Sequence, residues 1–188
     1  MINIDELKKT IKIANVVAST TIGAKLDLDQ VFDILEDANY NKKKFPGIVC
    51  KMTSPKIMVL IFRSGKIVCT GTRNFEDAKI GLFKVFEKLN IIGVDIPKNP
   101  DIKIHNIVVT ANLGRMLNLN TVAMGLGFEN IEYEPEQFPC IVYRVFNPRL
   151  VVLLFSSGKL VITGGKKLED VEIAAEKIMT ELDRLGLL

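Results

Sequence analysis

Hydrophobic positions along this chain fall into short runs bounded by turn residues, a pattern that predicts β-strands. In the first half the runs lie at about 11–18, 47–52, 57–62 and 66–71, with an extended piece from Tyr40. Ser-Pro and Ser-Gly pairs between the last three runs predict the turns of a meander. Helical spacing follows Asp27 and Asn74, which are residue types that cap helix N-termini. The predicted order is strand, helix, four strands, helix.

The same order occurs again in the second half of the chain, which indicates a tandem duplication. Residues 45–71 and 138–164 align without a gap, and 14 of the 27 aligned positions are identical. A linker with two prolines, residues 93–101, separates the two halves. We therefore expect an N-terminal repeat of residues 1–94 and a C-terminal repeat of residues 95–188, packed about a pseudo-twofold axis as one intertwined unit.

Two such repeats give about ten strands and four helices, which favours an α+β fold with an antiparallel sheet and all helices on one face. The helix after Asn74 carries a broad apolar face formed by Ile80, Phe83, Val85, Phe86 and Leu89. The runs 57–62 and 150–155 are apolar at every position, whereas a strand with one solvated face should alternate. The second face of the sheet is therefore either covered by another layer or a dimer partner, or is itself a binding surface.

Because side chains alternate along a strand, parity shows which residues share the uncovered face. That face combines an apolar floor, uncharged hydrogen-bonding groups, phenylalanines and cations near the strand ends. The floor of the DNA minor groove displays only acceptors at A·T pairs, and G·C pairs add a protruding amino group. Asparagine and threonine donors on a close-packed floor of valine and leucine match an A·T groove, and cations at its edge match phosphates.

Composition excludes several classes of protein. The hydrophobic fraction of 48% excludes a disordered chain. No apolar run approaches the roughly 20 residues that span a bilayer, and the N-terminus does not resemble a signal peptide. We expect a soluble intracellular protein without a membrane partner.

The three cysteines, Cys50, Cys69 and Cys140, have no cysteine counterparts in the other repeat and no Cys-x-x-Cys spacing. The single histidine, His105, has no cluster of partners. Neither a structural zinc site nor a disulfide framework is expected, and buried apolar cysteines are the favoured interpretation. No cofactor or metal is predicted.

Charge differs between the two repeats although the net charge is only +3. Residues 1–94 carry 15 basic and 10 acidic side chains, whereas residues 95–188 carry 10 and 12. The difference is concentrated in two corresponding loop tips. The basic tip, residues 41–44, reads Asn-Lys-Lys-Lys, and the acidic tip, residues 134–137, reads Glu-Pro-Glu-Gln. This asymmetry indicates that the two ends of the molecule face different partners, the alternative being that both tips are merely solvated charges.

Three sequence patterns occur in both repeats: Phe-Pro-x-Ile-Val, Phe-x-Ser-Gly-Lys-x-Val-x-Thr-Gly and Asn-x-Val. On these patterns the chain resembles the TATA-box-binding protein family, of the archaeal type, over nearly its whole length. The resemblance implies a saddle, in which a curved ten-stranded antiparallel sheet binds the minor groove with its concave face and carries four helices on its convex face. It also implies a general transcription initiation factor that kinks the TATA box by intercalating phenylalanines, a device this family shares with other minor-groove proteins. Such a factor recruits transcription factor B and RNA polymerase to the promoter.

The resemblance assigns roles to individual residues. The intercalating pairs are Phe45 with Phe62 and Phe138 with Phe155. The contacts with bases and the groove floor are Asn15, Val17, Leu60, Val68, Thr70, Asn106, Val108, Leu153, Val161 and Thr163. The phosphate contacts are Lys51, Lys66, Arg144 and Lys159. The positions that dock transcription factor B are Glu134, Glu136 and Gln137.

Two features bear on how far the resemblance extends. Cys140 stands where the family usually has a small residue such as glycine, which bears on the local shape beside Phe138. Ten residues precede the first predicted strand, and this compact form resembles archaeal members more than eukaryotic ones with long N-terminal extensions. We therefore expect a protein associated with the chromosome in an archaeal cytoplasm, or with the nucleus of a eukaryote.

Three alternatives stay open at the level of the sequence. A pseudo-symmetric curved sheet could hold an apolar ligand, although the cations near its edges disfavour this. A DNA glycosylase is disfavoured because no Asp, Glu or His occupies a duplicated position on the uncovered face, and we expect no enzyme. A homodimer formed through the same face in the absence of DNA would compete with DNA binding.

Overall fold

A computed structural model of the chain describes residues 4–127 and 129–188. The helices in these residues are α1 (Ile4–Lys9), α2 (Leu28–Asp33), α3 (Phe75–Ile91), α4 (Leu119–Leu126) and α5 (Leu168–Arg184). The first five strands are β1 (Lys12–Thr21), β2 (Ala38–Asn39), β3 (Gly47–Thr53), β4 (Lys56–Phe62) and β5 (Lys66–Thr72). The other five are β6 (Lys103–Asn112), β7 (Ile131–Glu132), β8 (Cys140–Phe146), β9 (Arg149–Phe155) and β10 (Lys159–Gly165).

The strands form one ten-stranded sheet within the described residues, in the order β2-β3-β4-β5-β1-β6-β10-β9-β8-β7. The pairings of the two meanders are antiparallel, and each follows the order of the chain, β3-β4-β5 and β8-β9-β10. The predicted ten-stranded antiparallel sheet and its duplicated strand order are confirmed.

The chain divides into two compact units. The N-terminal unit is Asn15–His105, and the C-terminal unit is Met1–Ala14 together with Asn106–Leu188. Most of β1 thus belongs to the N-terminal unit, while its first residues belong to the C-terminal unit. The division into repeats at residues 94 and 95 describes sequence similarity rather than spatial compactness, and it stays a prediction.

In the N-terminal unit the sheet buries one face beneath α3. Along β4 the buried residues Ile57, Val59 and Ile61 alternate with half-buried ones. The buried residues pack with Leu82, Val85 and Phe86 of α3 in one hydrophobic cluster. Helix α3 begins where expected, because Oδ1 of Asn74 accepts a hydrogen bond from the backbone N–H of Asp77 at 2.7 Å.

The C-terminal unit repeats this arrangement with α5. Along β9 the buried residues Leu150, Val152 and Leu154 alternate with half-buried ones. The buried face of α5 includes Val171, Ala175 and Ile178. In both units the strand runs that look uniformly apolar in sequence therefore have one buried face and one partly exposed face.

The prediction of four helices misses α1. Residues 1–9 carry no helical period long enough to detect, since α1 buries a single apolar side chain, Leu7. The helix packs against α5, with the ammonium of Lys8 on the carboxylate of Glu176. A helix this short is stabilised by tertiary packing rather than by its own propensity.

The extended piece predicted from Tyr40 lies slightly earlier, as β2, where Ala38 pairs with Cys50. Residues 41–44 instead form a turn, in which the Asn41 carbonyl accepts from the backbone N–H groups of Lys44 and Phe45 at 2.9 Å each. The basic tip is therefore a compact projection at the edge of the N-terminal unit rather than part of a strand.

Candidate nucleic-acid interface

The partly exposed sheet face of the N-terminal unit brings together the residues predicted for its groove floor. Leu60 of β4 lies directly opposite Val68 of β5, and Thr70 lies opposite Met58. Val17 of β1 is half-buried beside them. The partly exposed side of the sheet that carries these side chains is called the open face of the unit.

The C-terminal unit carries a matching open face. Leu153 of β9 lies opposite Val161 of β10, and Thr163 lies opposite Val151. Val108 of β6 is half-buried, as its counterpart in the N-terminal unit is. Every predicted floor residue thus lies on the side of the sheet away from the buried core.

Each open face contains one asparagine whose amide is fixed by a threonine and a glycine. In the N-terminal unit, Oδ1 of Asn15 accepts from the backbone N–H of Gly71 at 2.8 Å. Its Nδ2 donates to Oγ1 of Thr70 at 3.1 Å. Gly71 has a φ of 86°, in the left-handed region that favours glycine. Its N–H contacts the asparagine in this conformation.

The C-terminal unit reproduces this geometry closely. Oδ1 of Asn106 accepts from the N–H of Gly164 at 2.8 Å, and Nδ2 donates to Oγ1 of Thr163 at 3.1 Å. Gly164 has a φ of 98°. In both units the amide oxygen is therefore engaged by the backbone, and the amide nitrogen keeps a second hydrogen to donate. The threonine hydroxyl also lies within hydrogen-bond distance of the asparagine Oδ1, as a donor at 3.4 Å in the N-terminal unit and 3.3 Å in the C-terminal unit.

A pair of phenylalanines borders each open face. The ring centroids of Phe45 and Phe62 are 5.6 Å apart, and those of Phe138 and Phe155 are 6.2 Å apart. Phe138 is 49% exposed, while the other three rings are half-buried. Each pair joins a residue just before β3 or β8 with the last residue of β4 or β9, so an aromatic cluster stands at that end of each meander.

The four cations predicted to contact phosphate are all exposed. Within the described part of the chain, Lys51, Lys66 and Lys159 form no ion pair. Arg144 differs from them, because it is bound to the carboxylate of Glu132 with Nη2 to Oε1 at 2.6 Å. Sequence reasoning missed Glu132, whose only signal is its place two residues before the acidic tip.

The two tips are exposed turns of the same kind. In the acidic tip the Glu134 carbonyl accepts from the backbone N–H groups of Gln137 and Phe138 at 2.9 Å each. The side chains of Glu134, Glu136 and Gln137 are exposed. In the basic tip Lys42 pairs with Asp29 at 2.8 Å. The tips thus present opposite charges on matching backbone frames.

The three cysteines are buried, as expected, and their thiols are free. Burial raises the pKa of the Cys69 thiol to about 11, and burial also raises the pKa of the thiols of Cys50 and Cys140. These groups are therefore protonated near neutral pH. Among the described residues, no group of three or more His, Cys, Asp or Glu side chains could hold a metal ion, and no helix is long and apolar enough to cross a membrane.

These features define a class of protein: a duplicated α+β protein whose open sheet faces carry hydrogen-bond donors on an apolar floor. Comparison with known families gives a match to the model described as "Transcription factor TFIID (or TATA-binding protein, TBP)", over residues 10–92 and 101–185. The chain therefore belongs to the TATA-binding protein family of transcription factors. The two matched segments correspond to the two halves of the duplication.

Individual relatives agree with this assignment. The chain is 55% identical over 181 residues to "TATA-box-binding protein E" of Halobacterium salinarum, covering 96% of this chain and 97% of that protein. It is 52% identical over 178 residues to "TATA-box-binding protein" of Archaeoglobus fulgidus, covering 95% and 97%. The solved structure described as "Methanococcus jannaschii TBP" superposes with a TM-score of 0.84 at 49% identity, covering 93% of this chain and 98% of that one. The predicted family, its archaeal character and its fold are confirmed.

Proposed function

We propose that this chain is a general transcription initiation factor that binds the TATA box through the minor groove and kinks it by intercalating phenylalanines. In this proposal it then recruits transcription factor B and RNA polymerase to the promoter. The observation that carries the proposal is the pair of asparagine–threonine units, each presenting donors on an apolar floor. The names of the relatives support the same DNA element.

The fixed amides explain a preference for A·T pairs. An A·T minor groove displays acceptors alone, at A N3 and T O2. Because backbone N–H groups engage Oδ1 of Asn15 and Asn106, each amide faces the groove as a donor. The surrounding Leu60 and Leu153 side chains offer no acceptor for the guanine amino group, so a G·C pair would leave that donor buried without a partner.

The phenylalanine pairs are the proposed means of kinking. Opening a base step costs a few kcal/mol in lost stacking. Phe138 is 49% exposed, and covering roughly 100 Å² of ring with bases returns about 2–3 kcal/mol. A pair of rings at each end of the site can therefore offset the unstacking of one step, most readily at a flexible TA step.

The charged groups at the edges complete the proposed complex. Lys51, Lys66 and Lys159 would contact phosphates, and Arg144 is assigned the same role. The acidic tip would bind transcription factor B through Glu134, Glu136 and Gln137, whereas the basic tip would favour nearby phosphate. In an archaeal cell such a protein would act at the chromosome in the cytoplasm.

Inosine substitution tests the reading of the minor groove directly. An I·C pair presents an A·T-like minor groove without the N2 amino group, while its major groove resembles that of G·C. We expect fluorescence anisotropy to show similar affinity for a TATA duplex and its I·C counterpart, and much weaker binding to the G·C counterpart. Equal affinity for all three duplexes, or loss of binding to I·C, would contradict minor-groove recognition.

The apolar floor also supports self-association in the absence of DNA, because Leu60, Val68, Leu153 and Val161 are all partly exposed. A homodimer that buries this floor would dissociate when DNA binds. Sedimentation velocity with and without a TATA duplex tests this, since a storage dimer converts to a protein–DNA complex whereas a permanent dimer keeps its protein stoichiometry.

A further inference from the structure

Arg144 and Lys51 occupy corresponding places in the two units but have different surroundings. Arg144 lies on β8 opposite Val151 of β9, and Lys51 lies on β3 opposite Met58 of β4. Each therefore extends from the open face at the second strand from the sheet edge. The short edge strand beside each one supplies a different neighbour.

In the C-terminal unit that neighbour is acidic. Glu132 of β7 pairs with Val142, two residues before Arg144, so the side chains of Glu132 and Arg144 are diagonal neighbours on one face. Oε1 of Glu132 accepts from Nε of Arg144 at 3.0 Å and from Nη2 at 2.6 Å. In the N-terminal unit Asn39 of β2 holds the same place beside Lys51.

We propose that Glu132 withholds Arg144 from the DNA backbone, so that the two units bind phosphate unequally. The inference rests on the proposed function and refines one of its contacts. Nε and Nη2 form the edge of the guanidinium that presents two donors to an oxyanion, and Glu132 already occupies that edge. A phosphate gains this edge only when the ion pair opens.

The charges around Arg144 favour competition between Glu132 and a DNA phosphate for the guanidinium, rather than assistance by Glu132 in phosphate binding. Residues 129–137 contain four glutamates and no lysine or arginine, whereas the corresponding residues 36–44 contain two acidic residues and three lysines. A phosphate approaching Arg144 therefore meets negative side chains at Glu132 and in the acidic tip. A phosphate approaching Lys51 meets no such excess.

The ion pair is nevertheless able to open, because it is not buried. The Arg144 and Glu132 side chains are 48% and 61% exposed, and exposed pairs of this kind contribute little to stability. Arg144 is thus a conditional contact, and Glu132 is a residue that positions it away from DNA without touching DNA itself. Replacing Glu132 should add a phosphate contact without changing the groove floor.

The salt dependence of DNA binding counts the contacts. Each phosphate neutralised on B-DNA steepens the slope of log K against log[salt] by about 0.9. We expect Lys51→Gln to make the slope shallower by about 0.9, and Arg144→Gln to change it by less than about half as much. We expect Glu132→Gln to steepen it by about 0.9, a gain in affinity that shrinks about 3- to 4-fold between 50 and 200 mM salt.

Two further variants make the test specific. Asn39→Glu places a carboxylate beside Lys51 and should make the slope shallower, as the mirror image of Glu132→Gln. The double variant Glu132→Gln/Arg144→Gln should lose the gain of the single variant. Anisotropy on a fluorescent TATA duplex over a KCl series gives all the slopes, and thermal unfolding checks that each variant is folded.

The outcomes separate this inference from the function on which it rests. If the wild-type chain does not prefer the TATA duplex, that result contradicts the proposed function, and the inference about Glu132 is contradicted as well. If the wild type binds TATA but Arg144→Gln flattens the slope as much as Lys51→Gln, Arg144 is already on phosphate and the inference is overturned. Weaker binding by Glu132→Gln would overturn it too, because Glu132 would then orient Arg144 for DNA.

Discussion

The two phenylalanine pairs have the same residue types at the same spacing, yet their rings pack differently. The Phe45–Phe62 rings are 5.6 Å apart with planes at 58°, and the Phe138–Phe155 rings are 6.2 Å apart at 78°. Beneath the first pair, a Cβ on Gly47 would meet the Ile61 carbonyl oxygen at 2.8 Å and Phe62 Cδ1 at 3.1 Å. The second pair has Cys140 at that place. The two pairs thus differ both in ring packing and in the residue two positions after the first phenylalanine, which is glycine in one unit and cysteine in the other.

The asparagine–threonine units show the opposite behaviour. Their hydrogen-bond distances agree between the units at 2.8 and 3.1 Å. The duplication has thus kept the donor geometry of the floor nearly symmetric, while the aromatic pairs, the tips and the edge-strand neighbours differ. Symmetric contacts suit a nearly symmetric A·T site, and the asymmetric surroundings are where the two ends of a complex can be told apart.

The largest effect is expected from removing a ring that is proposed to intercalate. Phe62→Ala and Phe155→Ala should each weaken binding to a TATA duplex at least about tenfold, about 1.4 kcal/mol, because base-step opening loses its apolar partner. Anisotropy measures the affinity. Phe83→Ala, at a ring 47% exposed on α3, the helix that packs on the opposite face of the sheet, is the matched control and should bind normally. Equal losses in all three variants would contradict the assignment.

The next effect tests the symmetry of the floor. Asn15→Asp and Asn106→Asp each replace a donor with a carboxylate and should each cost about 1–3 kcal/mol of TATA binding, the range of one good base contact. Because the two amides have matching partners, the two losses should agree within about 1 kcal/mol of each other. Asn90→Asp on the exposed side of α3 is the control for added charge. A floor that tolerates aspartate would mean that the amides do not face the groove.

A more selective effect is expected at the tips. Glu134→Arg with Glu136→Arg should leave TATA binding intact and weaken the ternary complex with transcription factor B, because it reverses the charge of the acidic tip. Lys42→Glu with Lys43→Glu at the basic tip should instead weaken DNA binding. Gel shifts with and without transcription factor B distinguish the two. Unchanged ternary assembly by the first variant would remove the acidic tip from the proposed interface.

The smallest effect on DNA binding is expected from substitutions at Gly47 and Cys140, which lie beside the two ring pairs. Gly47→Cys forces the Phe45–Phe62 pair or the Ile61 carbonyl to move and should destabilise the fold by about 1–3 kcal/mol. Cys140→Gly removes a small buried side chain and should cost less than that. Chemical denaturation gives both values. The idea that this position sets ring packing fails if Gly47→Cys folds with unchanged stability and unchanged TATA affinity.

Much of the fold and of the candidate site could be predicted from the sequence, because the duplication shows the residue pattern of each element twice. Strand parity is enough to place Thr70 on one face and Cys69 on the other, since a strand has a strict period of two. Helix faces are less certain. Ile80 and Phe83 belong to the predicted apolar face of α3, but they are 44% and 47% exposed, so only part of that face is buried.

Other features depend on contacts between segments distant in sequence. Glu132 and Arg144 meet because β7 pairs with β8 in one particular register, and neither residue signals the other locally. A Cβ at Gly47 would meet the Ile61 carbonyl oxygen of the neighbouring strand, which is a cross-strand relation. The short helix α1 forms through packing on α5. In each case the determinant is a tertiary register, which residue patterns alone do not specify.

A circular-permutation gel shift shows whether the two open faces bind and bend one A·T minor groove, as proposed. The probes are duplexes carrying TATAAA at different positions, beside a set in which G·C pairs replace the site. We expect mobility to depend on position for the TATAAA set alone, and we expect the Phe62→Ala/Phe155→Ala variant to lose this dependence. Position-independent mobility of folded protein bound to TATAAA would contradict bending, and no complex at low salt would contradict DNA binding itself.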